Sequence, residues 1–243
     1  MTLILIGLAA GVAAFLGGLL AFRFQDKLHL VLGFSAGAVL AVAFFDLIPE
    51  AIELAGNDIT RALTVVFLAF LVYMILDRSL FLHQHSDDHC HNEAHTPNTA
   101  RGRFGAGSLS IHSFLDGAAV GVAFQAAPAL GLAVALAVFA HGFSDGINTV
   151  TVIRRHGGDQ RESFKWLALD SLAPFLGVLS TFLFTFPESA LGFIIALFAG
   201  FFIYLGASDL LPESHHGHQT HWTTVATIMG AALVWGVVQA LGV

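Results

Sequence analysis

Residues 112–117 read His112-Ser113-Phe114-Leu115-Asp116-Gly117, and residues 141–146 read His141-Gly142-Phe143-Ser144-Asp145-Gly146. Both copies lie in runs of Leu, Ala, Val, Phe and Gly. In each, a His and an Asp stand four apart, so on a helix they share one face with Cβ atoms about 5–6 Å apart. That is a pair of metal ligands, present twice. A lone His on an apolar face is more often a satisfied core residue. At membrane depth an ionisable group costs a few kcal/mol and marks a pathway, a relay or a site. Four of them in matching copies point to function.

The surroundings supply that membrane setting. The 243-residue chain is 56% hydrophobic and 11% charged, with 23 Phe, against about 25% charged in soluble domains. Its apolar runs reach about 20 residues, the length needed to cross a hydrocarbon core of about 30 Å. Alternating ten-residue segments, the mark of an outer-membrane barrel, are missing. The fold class is therefore an all-α integral membrane protein. The formal charge of -7 conveys little by itself. The few basic residues form no nucleic-acid stripe, so no nucleic acid is expected as a partner. Cys90 is the single cysteine, which rules out an intrachain disulfide. Met1 to Phe22 lacks a basic n-region and is too long for a signal-peptide core, so it reads as a retained first helix.

Eight spans are predicted: residues 2–22, 28–55, 63–82, 104–125, 128–153, 164–186, 189–211 and 222–243, forming one transmembrane domain over residues 1–243. Basic residues concentrate in cytoplasmic loops. Arg23 and Lys27 follow span one; Arg78, Arg101 and Arg103 lie around the loop after span three; Arg154, Arg155, Arg161 and Lys165 follow span five. Only Arg61 falls on the other side. Both termini are thus expected outside, in a multi-pass protein of the inner (plasma) membrane.

The loop over residues 83–103 carries His83, His85, His89, His91 and His95. A second tract, His215, His216, His218 and His221, follows span seven on the same expected face. Composition of this kind suggests weak, exchangeable metal binding, with no catalytic role.

Spans two and seven echo each other as Asp46-Leu47-Ile48-Pro49-Glu50 and Asp209-Leu210-Leu211-Pro212-Glu213. The proline removes a backbone donor and frees the carbonyl four residues earlier, at Phe45 and at Ser208. Carboxylate and freed carbonyl together attract cations. Span two runs outward and span seven inward, so Asp46 and Glu50, extended by Glu53, read as an outer acidic mouth and Asp209 and Glu213 as an inner one. Both echoes are antiparallel, and inverted repeats with a site at the midplane mark transporters. Three helices, a central pair and three inverted helices are the predicted plan.

Asp170 on span six precedes Pro174 by four and is a further candidate ligand. Ser113, Ser144 and Asn148 are within reach of the metal or its surroundings. Gly117 and Gly121, and Gly142 and Gly146, make two G-x-x-x-G spacings that let helices approach closely. Two imidazoles and two carboxylates suit Zn²⁺; Fe²⁺, Mn²⁺, Co²⁺ or Cd²⁺ fit the same set, whereas Mg²⁺ and Ca²⁺ prefer oxygen alone. Binding needs neutral His and ionised Asp, so protons compete with the metal.

These residues resemble the ZIP family (Zrt-, Irt-like proteins) of divalent metal transporters, bacterial type, over essentially the full length. The likeness rests on eight spans with outside termini, a His-rich loop after span three, His-x-x-x-acid-Gly on span four, a similar motif on span five, and D-x-x-P-E on span seven. It implies a 3+2+3 inverted-repeat bundle, a transport site between spans four and five, and movement of metal toward the cytoplasm by an elevator-like shift. By the motifs, His112, Asp116, His141 and Asp145 are the implied ligands. Ser113 stands where many members have Asn, and Gly142 where many have a second acid. The span-six acid of many members directly precedes the proline, where this chain has Ala173. These departures favour one metal over a bridged pair.

The expected function is transport of a divalent cation, Zn²⁺ foremost, carried as substrate and not as an enzyme's cofactor. The expected partners are metal ions and the bilayer, with a homodimer as the oligomer allowed for. An intramembrane zinc hydrolase would use similar ligands, but there is no H-E-x-x-H. An exporter would differ only in direction.

Overall fold

The computed structural model describes residues 1–22, 28–85, 99–215 and 221–241. Among these residues there is no strand. The helices are α1 (Thr2–Ala21), α2 (Leu28–Val42), α3 (Ile48–Leu54), α4 (Ile59–His85), α5 (Thr99–Ala126), α6 (Pro128–Arg155), α7 (Gln160–Ser180), α8 (Glu188–Tyr204), α9 (Leu211–His215) and α10 (His221–Leu241). Wide π-helical turns at Ala43–Leu47 and Leu205–Leu210 join α2 to α3 and α8 to α9.

Seven stretches among the described residues are long and apolar enough to cross a membrane: Thr2–Ala21, His29–Leu54, Ile59–Leu76, Pro128–Arg155, Gln160–Leu183, Ala190–His215 and His221–Ala240. The chain is a multi-pass helical membrane protein. α5 has the length, 28 residues, but holds His112, Asp116 and several Gly and Ser residues, which make it less apolar than the rest. The expected loop over 83–103 is shorter than its composition suggested, because α4 runs to His85 and α5 starts at Thr99. Helical backbone satisfies its own hydrogen bonds, so it extends past the hydrocarbon as readily as through it.

Size, more than polarity, decides which face of a helix turns inward. α1 buries Gly7, Ala10, Gly11, Ala13, Ala14, Gly17, Gly18 and Ala21 and exposes Leu5, Leu8, Val12, Leu16, Leu19 and Leu20. Small residues let backbones approach, while large apolar ones face lipid, which is as apolar as they are. α1, α5, α6 and α7 pack on one another; α2 packs on α10 and α4 on α8, and the two groups meet along α2–α6 and α5–α8.

Glycine marks the tightest crossings. A Cβ at Gly17 would run into the carbonyl of Phe143, and one at Gly146 into the carbonyl of Ala14. On the other side of the site, a Cβ at Gly117 would meet the carbonyl of Pro174, and one at Gly177 the carbonyl of Phe114. Gly142 departs from the G-x-x-x-G expectation: a Cβ there would lie 3.7 Å from the Ala10 carbonyl oxygen, ordinary contact distance.

The α5–α6 turn sets the register of the site. Ala127 is extended (φ -150°, ψ 138°) and Pro128 opens α6, where its fixed φ and missing N–H suit a first helical turn. The centres of the two motifs, residues 114 and 143, lie 13 and 16 residues from Ala127. At 1.5 Å per residue that is about 20 and 24 Å, so the antiparallel pair brings the motifs level to within a turn. Elsewhere, Gly56 (φ 72°) and Asn57 (φ 64°) make the reversal from α3 into α4.

Candidate metal centre

His112 and Asp116 on α5, and His141 and Asp145 on α6, place one ligand atom each within 4.8 Å of one another. Asp116 Oδ2 is 3.2 Å from His112 Nε2 and 3.0 Å from His141 Nε2. Asp145 Oδ2 is 3.7 Å from His141 Nε2. A tetrahedral Zn²⁺ site with bonds of about 2.0–2.1 Å has ligand–ligand edges of about 3.3–3.4 Å. The three separations bracket that edge. All four residues are at most 6% exposed.

The chemistry of the cluster matches its geometry. Two neighbouring carboxylates buried together require a compensating positive charge, and a divalent cation supplies it. His141 Nδ1 lies 2.9 Å from the Ala137 carbonyl. A carbonyl only accepts, so Nδ1 carries a proton, which leaves Nε2 as the nitrogen that would offer a lone pair to a cation; such outer partners commonly orient a metal-binding imidazole. Asp116 Oδ1 is buried with no hydrogen-bond partner among the described residues. Phe201 and Phe202 of α8 close the apolar side, with ring centroids 5.0 Å from His112 and 6.0 Å from His141.

The remaining candidates fall around this core. Asp170 on α7 is fully buried but lies outside the four-atom group. Ser113 Oγ donates to Asp170 Oδ1 at 2.9 Å, so its hydroxyl is turned to α7. Ser144 is buried beside Ser35 of α2, whose hydroxyl donates to the Ala140 carbonyl at 2.7 Å. Asn148, one turn beyond Asp145 on α6, is half-buried.

The two acidic mouths differ. Asp46 sits in the wide turn before Pro49, 1% exposed, and neither carboxylate oxygen has a hydrogen-bond partner among the described residues. Glu50 beside it is half-buried, while Asp209 and Glu213 are exposed. Asp209 lies near enough to Asp145 to act on it electrostatically. The carbonyls of Phe45 and Ser208 fall inside the wide turns, where Ile48 N–H reaches back to the Ala43 carbonyl and Leu211 N–H to the Gly206 carbonyl.

Of the histidine tracts, His83 and His85 end α4. His215 Nδ1 donates to the Leu211 carbonyl at 2.9 Å, and His221 opens α10, exposed. His89, His91, His95, His216 and His218 lie outside the described residues.

Sequence reasoning missed Tyr73 on α4, whose hydroxyl is 3.2 Å from His112 Nδ1. The signal was present: Tyr73 is one of two tyrosines in the chain and stands mid-span, where a buried phenol requires a polar partner.

The profile described as "ZIP Zinc transporter" matches residues 104–237. The chain is 28% identical to the zinc transporter ZupT of Corynebacterium aurimucosum, over 93% of this chain and 92% of that one. It is 30% identical to the zinc transporter ZupT of Oceanobacillus iheyensis, over 95% and 94%. Similarity to the mouse zinc transporter ZIP10, at 30% identity, covers 46% of this chain and 13% of that protein. A helical bundle with a buried His/Asp cluster on α5 and α6, a family profile over more than half of the chain, and likeness to the two ZupT transporters along nearly its whole length lead to one conclusion: the chain belongs to the ZIP zinc transporter family.

Proposed function

We propose that the protein carries divalent metal, Zn²⁺ foremost and Fe²⁺, Mn²⁺ or Cd²⁺ as alternative cargo, across the membrane toward the cytoplasm, held by His112, Asp116, His141 and Asp145. The observation that carries this reading is the convergence of four buried ligand atoms from two helices within 4.8 Å. The names of the relatives support zinc as cargo. Gly142, with no side chain, and Ser113, bonded to Asp170, favour one ion at this position.

The 3+2+3 inverted plan, with α5 as the eighth crossing, is part of the proposal. Two pairings support it. Phe114 and Phe143 each follow the motif His by two, Gly117 and Gly146 each follow the Asp by one, and each pair makes the same reciprocal glycine contacts, with α7 on one side and α1 on the other. Wide turns precede both Pro49 and Pro212. The outside termini rest on the basic residues, nine of ten on one face, and the inward direction on the resemblance to the family. Exposed Asp209 near Asp145, against buried Asp46 opposite, supports a path that continues from the centre to the α8–α9 end.

Purified protein in liposomes loaded with a zinc-sensitive dye tests the proposal, with Zn²⁺, Fe²⁺, Mn²⁺ and Cd²⁺ offered in turn. Saturable uptake that Asp116→Ala and Asp145→Ala abolish is the expected result. Uptake unchanged in both variants, or lipid or peptide turnover without flux, overturns it.

A further inference from the structure

The two histidines of the cluster are held by different kinds of partner. His141 Nδ1 faces a backbone carbonyl, Ala137 O, at 2.9 Å. His112 Nδ1 faces a phenol, Tyr73 Oη, at 3.2 Å. A carbonyl only accepts, whereas a hydroxyl both donates and accepts. The first partner fixes one tautomer; the second serves either.

We propose that Tyr73 is a positioning residue for the transported ion, a hydroxyl on α4 that holds the His112 ring by Nδ1 while Nε2 faces the cluster. Nε2 of the same ring faces Asp116 Oδ2 at 3.2 Å. With a cation bound, Nε2 must present a lone pair. The ring proton then sits on Nδ1, where the Tyr73 hydroxyl oxygen accepts it.

The packing of Tyr73 supports a fixed hydroxyl. Its ring stands edge-on to Phe201 at 4.4 Å and to Tyr204 at 5.1 Å, and Phe201 in turn lies tilted against His112 at 5.0 Å. α4 packs on α8, while His112 belongs to the group formed by α1, α5, α6 and α7. The Tyr73–His112 bond therefore spans the boundary between the two helix groups at the cluster itself.

The inference rests on His112 being a ligand, and a double-mutant cycle separates the two claims. Equilibrium Zn²⁺ affinity is measured on the full-length protein in detergent for the parent, Tyr73→Phe, His112→Ala and the double variant. His112→Gln serves as a second background, and metal-free unfolding temperatures confirm that each is folded. Tyr73→Phe keeps the ring stack and removes one oxygen. It is expected to weaken Zn²⁺ binding about 10- to 100-fold, the usual effect of losing an outer partner of a metal-binding imidazole, and to change affinity less than about twofold where His112 is already replaced. Unchanged affinity in Tyr73→Phe, or an equal loss in both backgrounds, overturns the role of Tyr73 while leaving the metal centre standing. Unchanged affinity in His112→Ala and His112→Gln removes the ligand assignment, and the inference with it.

Discussion

One carboxylate oxygen of Asp116 on α5 lies 3.0 Å from Nε2 of His141 on α6, so the ligand pairs of the two helices touch within the cluster. Neither pair is a complete site alone, and losing either half breaks the same centre. Asp116→Ala and Asp145→Ala are each expected to weaken Zn²⁺ binding by at least about tenfold, or about 1.4 kcal/mol. Metal-free unfolding temperature should fall for Asp116→Ala, which breaks its contacts with His112 and His141. Calorimetric titration and thermal scans of the same samples check both halves.

Acid should empty the centre. A cation binds neutral imidazoles and ionised carboxylates, and protons compete for all four groups. Zn²⁺ affinity is therefore expected to fall steadily from about pH 7.5 to about pH 5.5, with protons released to solvent on binding at the lower pH. Titrations in buffers of different ionisation enthalpy measure that release.

The crossings at Gly146 and Gly117 leave no room for a methyl group. Gly146→Ala and Gly117→Ala should each destabilise the protein by about 1–3 kcal/mol, the range for overpacking, whereas Gly142→Ala should be tolerated. Unfolding temperatures in one detergent rank the three variants, and Gly142→Ala falling with the other two would contradict the packing described here.

Ser113→Ala withdraws the hydroxyl donated to Asp170 Oδ1 at 2.9 Å. A buried carboxylate left short of a donor costs about 1–3 kcal/mol. The variant should lose stability by that order while keeping more of its uptake than Asp116→Ala, since the hydroxyl is turned to Asp170 and away from the four-atom group. Uptake rates normalised to folded protein make the comparison.

Replacing His83, His85, His89, His91 and His95 together with Gln is expected to leave maximal uptake within about twofold of the parent and to change its dependence on metal concentration. Loss of maximal uptake would assign the tract a place in the path itself.

The His-x-x-x-Asp pairs were legible because a four-residue spacing on a helix has one geometric outcome and the cost of charge in lipid has one common remedy. Pairing them across helices needed the inverted order of α5 and α6, which the basic loops supplied. Tyr73 was not legible: helical spacing relates residues on one helix, and nothing in the sequence of α4 states which residue of α5 it will meet. Gly142 failed as a packing glycine for the same reason, since a spacing identifies a small face without saying what lies opposite. The wide turns escaped because proline announces a missing donor but not how the backbone redistributes the rest. The unequal exposure of Asp46 and Asp209 belongs to tertiary arrangement, to which two nearly identical pentapeptides are blind.

Those wide turns carry a consequence for chain length. A backbone N–H that reaches back five residues, as Ile48 does to Ala43 and Leu211 to Gly206, encloses one residue more than an ordinary helical turn. Deleting a single residue there restores regular pitch and leaves the Pro49-Glu50 or Pro212-Glu213 end at nearly the same bearing, whereas in a regular helix it turns everything beyond by about 100° about the axis. The same deletion elsewhere in α2 or α8 would scramble the whole buried face, so these two positions are where a shortened chain would keep both its core and the bearing of its acids.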